Sequence, residues 1–197
     1  GPPHDIAKAR ALPGRHNHQN AAAAYAACRA LGLESSDILN AIETFPGLPH
    51  RLETIGVIEG VRFINDSKAT NAQAAEQALR AFPNAWWIVG GRQKEEGIDD
   101  LAPFFSHITK AYLIGESTEA FARVLAGKLE ADKSRTIDVA VEAAFNDARA
   151  SGVANPVVLF SPAAASFDQF RDFEQRGLAF RQEAASLVKR RTPIEPV

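Results

Sequence analysis

Short apolar runs alternating with helix-patterned segments predict an α/β fold on a mostly parallel sheet. Three runs carry that prediction: Ala85-Trp86-Trp87-Ile88-Val89, Ala111-Tyr112-Leu113-Ile114 and Val157-Val158-Leu159-Phe160. Each is too evenly apolar to leave one face wet, so each reads as a strand covered on both sides. A turn signal or polar motif follows every run, and helical patterning follows that. In such sheets ligands gather at the carboxyl ends of the strands.

The elements read in order as follows. Residues 1–15 are an irregular entry with Pro2, Pro3, Pro13 and Gly14. Residues 20–33 form a helix, because Ala21 to Ala24, Ala26 and Ala27 give high propensity. A second helix covers 37–44, with Ile38, Leu39 and Ile42 on one side and Ser35 or Ser36 as its cap. Phe45-Pro46-Gly47-Leu48-Pro49 breaks the pattern and marks a boundary between a unit at 1–47 and one at 48–197. Beyond it, Ile55 to Ile58 and Val61 to Ile64 flank Glu59-Gly60, a two-residue hairpin signal. Helices are expected at 72–82, 118–129, 139–150 and 168–190, the last stopped by Thr192-Pro193.

Bulk composition bounds the function. Of 197 residues, 46% are apolar and 23% charged, and the net charge of −2 provides no basic field for nucleic acid or anionic membrane. No apolar run approaches the ~20 residues of a membrane span. The single cysteine, Cys28, cannot form an internal disulfide and reads as a small buried residue. No signal-peptide pattern opens the chain, so a reducing cytoplasm is expected. The chain has no methionine and starts Gly1-Pro2-Pro3-His4, which suits methionine removal and cleavage from a larger protein equally.

Several polar clusters could carry chemistry. His16-Asn17-His18-Gln19-Asn20 leads into the alanine-rich helix. Its amides fit a helix cap, or the donor and acceptor edge of an adenine. The nearby His4, His16 and His18 match no zinc spacing. Asn65-Asp66-Ser67-Lys68-Ala69-Thr70-Asn71 concentrates varied hydrogen-bonding groups between a strand and a helix. A loop there serves either as a cap or as an anion site at a helix N-terminus. Gly90-Gly91-Arg92-Gln93-Lys94 allows close backbone approach and supplies a mobile ammonium. It is no P-loop, because Gly-x-x-x-x-Gly-Lys-Ser/Thr occurs nowhere in the sequence. Ser161-Pro162-Ala163-Ala164-Ala165-Ser166-Phe167-Asp168-Gln169-Phe170 follows the last strand, with Ser166 placed to cap a helix. No Gly-x-Ser-x-Gly elbow supports a hydrolase.

Together, His16-Asn17-x-x-Asn20, Pro49-His50-Arg51, Asn65 to Asn71 and Ser161 to Phe170 resemble the Mur ligase family, in its D-glutamate-adding branch. Phe173-Glu174-Gln175-Arg176-Gly177 fits as well, and the resemblance runs from about Leu12 through the terminal helix. The Asn65 to Asn71 loop is its most specific part, since the L-alanine-, diaminopimelate- and lysine-adding branches carry different loops. Arg92-Gln93 departs from the pattern, where shorter side chains are more usual.

The resemblance implies part of a three-domain bacterial enzyme of peptidoglycan precursor synthesis. Residues 1–47 would be a short helical remnant of the central P-loop ATPase domain, and 48–197 a Rossmann-like domain binding the incoming amino acid. ATP would phosphorylate the carboxylate of UDP-N-acetylmuramoyl-L-alanine, and the amine of D-glutamate would attack the acyl phosphate. The Mg²⁺ ligands would lie mostly in missing upstream domains, with no metal ligand here. Asn17 and Asn20 would contact adenine, His50 and Arg51 would lie near the ribose and phosphates, and Asp66 would accept from the ribose. Lys68, Thr70, Lys94 and Ser166 would surround D-glutamate, with Phe167 and Phe173 closing the pocket. Lys68, His50 and Arg51 would be the catalytic group. The chain alone would be inactive, and the whole enzyme a monomer. Two other readings remain open: a folylpolyglutamate synthase-like ligase, and a nucleotide-binding module without catalysis.

Overall fold

The computed structural model describes residues 9, 12, 14–93 and 97–191, apart from the side chains of Arg15, His16, Arg190 and Arg191. Two helices come first, α1 (Arg15–Ala30) and α2 (Ser35–Thr44). A six-stranded sheet follows, made of β1 (Glu53–Ile58), β2 (Val61–Asn65), β3 (Ala85–Gly90), β4 (Ile108–Ile114), β5 (Ala131–Arg135) and β6 (Val157–Phe160). The crossovers are α3 (Ala72–Ala81), a 3-10 helix (Asp99–His107), α4 (Thr118–Leu125) and α5 (Ile137–Ala150), and α6 (Phe173–Arg191) ends the described chain.

Strand order is β1-β2-β6-β3-β4-β5. Only the β1–β2 hairpin is antiparallel; every other neighbouring pair is parallel. The α/β expectation therefore holds. The both-faces-buried reading of the apolar runs holds as well. Along β3, Trp87 and Val89 face one core with Leu79, Leu113 and Phe121, while Trp86 and Ile88 face the other with Phe145 and Phe180. Alternate side chains thus feed two cores, as the pleat requires.

Several boundaries differ from the sequence reading. Helix α1 starts at Arg15 after Gly14, with no side-chain cap, so Asn17 and Asn20 lie inside it. Neither Ser35 nor Ser36 caps α2; its N-cap is Glu34, and Ser35 Oγ instead pairs with Tyr25 OH at 2.8 Å. Helix α4 stops at Leu125, four residues before the expected end, and β5 lies between the two helices expected at 118–129 and 139–150. That strand reads Ala-Asp-Lys-Ser-Arg and is mostly exposed, so it carries no apolar signal. Helix α6 begins at Phe173, not Asp168. Cys28 is only half-buried, in an apolar groove between α1 and α2 with Ala24, Ile38 and Ile42. The Thr192-Pro193 stop lies outside the described residues. Among the described residues no helix is long and apolar enough to cross a membrane.

Candidate functional site

The loop from Asn65 to Asn71 leaves β2 beside β6, in register at Asn65 and Phe160. Asn71 Oδ1 accepts from the Ala74 N–H at 2.8 Å and caps α3. Asp66 is buried: its Oδ2 accepts from Ser161 Oγ at 2.7 Å and its Oδ1 from the Leu52 N–H at 3.2 Å. Burial pushes its carboxyl up from 3.8 to about 7, against the lowering effects of the Ser161 and Leu52 hydrogen bonds and the Arg51 charge.

Asp66 lines a cleft of 470 Å³ between the two-helix segment and the sheet domain. Asn17 and Asn20, three apart on α1, face into it from one side. Arg51, Asp66 and Lys68 line the other, and Leu12, Phe45, Leu48 and Leu52 supply apolar wall. Chemically, this slot offers apolar wall and amide edges to a planar ring, an acceptor to a hydroxyl, and two cations to an anion.

Lys68 also borders the far side of the loop. Its Nζ stands 3.8 Å from the centroid of the Phe173 ring. Phe173 meets the His50 ring edge-on at 6.2 Å. His50 itself does not line the cleft. It is buried behind it, with φ 62, and its carbonyl accepts the Lys68 N–H at 3.0 Å. Asn65 donates from Nδ2 to His50 Nδ1 at 3.0 Å, while its Oδ1 accepts the Ser67 N–H at 3.3 Å. This fixes the amide orientation and makes Nδ1 the acceptor. Gly177 allows α6 to pass this closely, since a Cβ there would sit 2.2 Å from His50 Nδ1.

Beneath the loop lies Arg176, 1% exposed. Its guanidinium donates to Ser67 Oγ at 3.1 Å, Ser67 O at 2.9 Å and Ala164 O at 3.0 Å. No carboxylate forms an ion pair with it among the described residues, and burial pushes it down to about 10. A charged guanidinium thus sits under the loops that end β2 and β6. Sequence reasoning quoted Arg176 but gave it no role. A signal was present: Arg176 shares the buried stripe of α6 with Phe180, Ala184 and Leu187. Ser161 and Asn65 were missed as supports because short polar residues at strand ends read as turn formers.

The structure therefore gathers Asn17, Asn20, Arg51, Asp66 and Lys68 at one cleft and attaches Phe173 through Lys68. Thr70 is half-buried on the same loop, its N–H donating to Lys68 O at 2.8 Å. Ser166 is buried after β6, its carbonyl accepting from Gln169 N at 3.2 Å and Phe170 N at 2.9 Å. It caps no helix, because α6 starts seven residues later. Phe167 is 63% exposed. Lys94 lies outside the described residues.

Residues 50–164 match the family model described as "Mur ligase, glutamate ligase domain". The chain belongs to the Mur ligase family. It is 59% identical over 184 residues to UDP-N-acetylmuramoylalanine–D-glutamate ligase of Caulobacter vibrioides strain NA1000, covering 93% of this chain and 39% of that protein. The enzyme of the same name from Rhodospirillum rubrum is 50% identical over 192 residues, covering 98% of this chain and 40% of its own length. The chain thus spans about two fifths of these curated relatives. Among solved structures, UDP-N-acetylmuramate-alanine ligase of Thermotoga maritima shares the fold, with a TM-score of 0.65 at 19% identity over 89% of this chain and 39% of that one.

Proposed function

We propose that this chain is the amino-acid-binding part of an ATP-dependent ligase that adds D-glutamate to UDP-N-acetylmuramoyl-L-alanine. The observation that carries the reading is the cleft where Asn17, Asn20, Arg51, Asp66 and Lys68 converge. The relatives 50–59% identical to this chain are D-glutamate ligases by name, which supports the choice of amino acid.

In this reading residues 1–47 end the ATP-binding domain, and 48–197 form the amino-acid domain. Asn17 and Asn20 hold the adenine edge, Asp66 accepts from the ribose hydroxyls, and Arg51 faces the phosphates. Lys68, between the cleft and Phe173, neutralises charge that develops where acyl phosphate meets amine. His50 acts through its carbonyl, which holds the Lys68 backbone. Thr70, Lys94 and Ser166 receive the D-glutamate carboxylates, with Phe167 and Phe173 as walls. Two kinds of donor, ammonium and hydroxyl, match two carboxylates and leave the amine unpaired, free to attack as the base. Among the described residues no three His, Cys, Asp or Glu side chains come together as a metal-ion set. The resemblance to the family assigns most ligands of Mg²⁺, which would offset phosphate charge, to upstream residues.

The test joins this chain to the upstream residues of the Caulobacter vibrioides relative and follows phosphate release. Release is expected only with ATP, Mg²⁺, UDP-N-acetylmuramoyl-L-alanine and D-glutamate together, and from neither part alone. Lys68→Ala should reduce it by about a hundredfold or more, the scale of losing one preorganised electrostatic contact. Equal release with L-glutamate, lysine or diaminopimelate would overturn the substrate assignment.

A further inference from the structure

Arg92 belongs to a set of contacts among the loops at one end of the sheet. Three loops leave the carboxyl ends of β3, β4 and β6, and contacts join them pairwise into a closed triangle. The β3 and β6 loops exchange two backbone bonds, Arg92 N to Ala165 O and Ala165 N to Arg92 O, both 2.9 Å. The β6 and β4 loops meet where Asp168 Oδ2 accepts the Glu116 N–H at 3.0 Å. The β4 and β3 loops are joined by Ser117 N–H to Gly91 O at 2.9 Å and Gly91 N–H to Ser117 Oγ at 3.2 Å, and across these by the Arg92 fork on Glu116, Nε to Oε2 at 3.1 Å and Nη2 to Oε1 at 2.9 Å. Gly91 permits this closeness: a Cβ there would lie 2.3 Å from Ala165 O.

We infer that the Arg92–Glu116 pair is a positioning clasp that sets the β6 loop, and with it Ser166, for the carboxylate of the incoming amino acid. The inference rests on the D-glutamate reading above. Ser166 adjoins the bridged Ala165, so a change in the third side of the triangle is felt one residue from the proposed contact. The clasp does not serve the core. Its side chains are 53% and 55% exposed, and an exposed pair adds little to stability. What a two-point fork does provide is orientation.

Charge alone makes a different forecast, and this separates the two. If Arg92 merely attracted the anionic substrate, Arg92→Gln would weaken binding and Glu116→Gln would strengthen it. A clasp requires both changes to weaken binding, because each removes the same fork and leaves that side of the triangle to the Ser117–Gly91 bonds alone. The experiment titrates D-glutamate into this chain by NMR, for wild type, Arg92→Gln, Glu116→Gln and the charge-swapped pair Arg92→Glu with Glu116→Arg. Each single change is expected to weaken binding by about threefold to tenfold, and the swap to recover most of it, as coupled neighbours do. Melting temperatures should stay together. Tighter binding in Glu116→Gln, or singles that weaken while the swap fails to recover, would overturn the clasp. So would unchanged affinity in both singles, or melting temperatures that fall in step with binding. Those results leave the D-glutamate reading intact, whereas a wild-type chain that binds no D-glutamate overturns that reading and the clasp with it.

Discussion

Replacing Arg176 with alanine is expected to lower the melting temperature by roughly 6–20 °C, from a loss of about 3–5 kcal/mol. Three acceptors lose their partner at once: Ser67 Oγ, Ser67 O and Ala164 O. A buried acceptor left alone costs about 1–3 kcal/mol, and the emptied volume adds to that. Returning the guanidinium to water offsets part, because burial disfavours its charge. Arg176→Lys should recover only a fraction, since one ammonium cannot span carbonyls on two loops. Thermal melts of the three proteins decide this. A shift of only a degree or two for Arg176→Ala would show that water replaces the guanidinium and that the two loops hold themselves.

Asp66→Asn should have the opposite sign, and its effect should depend on pH. The folded carboxyl titrates at about 7 and the unfolded one near 3.8. Between those values the folded chain binds more protons, so stability at this site is full below about pH 4 and is lost as pH rises through about 7. Three pH steps at about 1.4 kcal/mol each give a loss of order 4 kcal/mol, an upper figure since neighbouring groups relax. Asparagine copies the protonated acid: its oxygen accepts from Leu52 N–H and its amide donates to Ser161 Oγ. The variant should match wild type near pH 4 and exceed it at pH 8 by roughly 5–15 °C. Equal melting at pH 8 would mean that Asp66 is ionised without cost. The sign is informative about function. A carboxyl that destabilises its own fold at neutral pH, and lines a cleft with two cations, is what the proposed role of Asp66 as a ligand acceptor calls for.

The fold was largely legible because both faces of its central strands are apolar. Trp86 and Trp87 point to opposite cores, yet the run needs no alternation to be read as a strand. Strand β5 was not legible, since four of its five residues carry polar side chains and only Ser134 is buried. The cleft gathers Asn17, Asn20, Arg51 and Asp66, the residues for which the resemblance to the family implies nucleotide contacts. Sequence alone did not show what supports these groups. His50 lies behind the cleft rather than in it, where Asn65 Nδ2 meets its Nδ1 and Gly177 leaves room for the ring. Arg176 links Ser67 to Ala164 across 97 positions of sequence, a contact that no local pattern announces. Ser166 was read as a helix cap because small residues precede it, whereas the chain there turns back through hydrogen bonds to Gln169 and Phe170.

The central claim is that this chain, by itself, recognises D-glutamate with the loops that end β2 and β6. Amide NMR spectra recorded during titration with D-glutamate and, separately, L-glutamate test it most directly. D-Glutamate should move the amides of Thr70, Ala165 and Ser166 along one saturable curve, with weak affinity because the chain spans only about two fifths of its curated relatives, and L-glutamate should leave them in place. Movement that does not saturate, lies elsewhere on the chain, or is the same for both enantiomers would contradict the account.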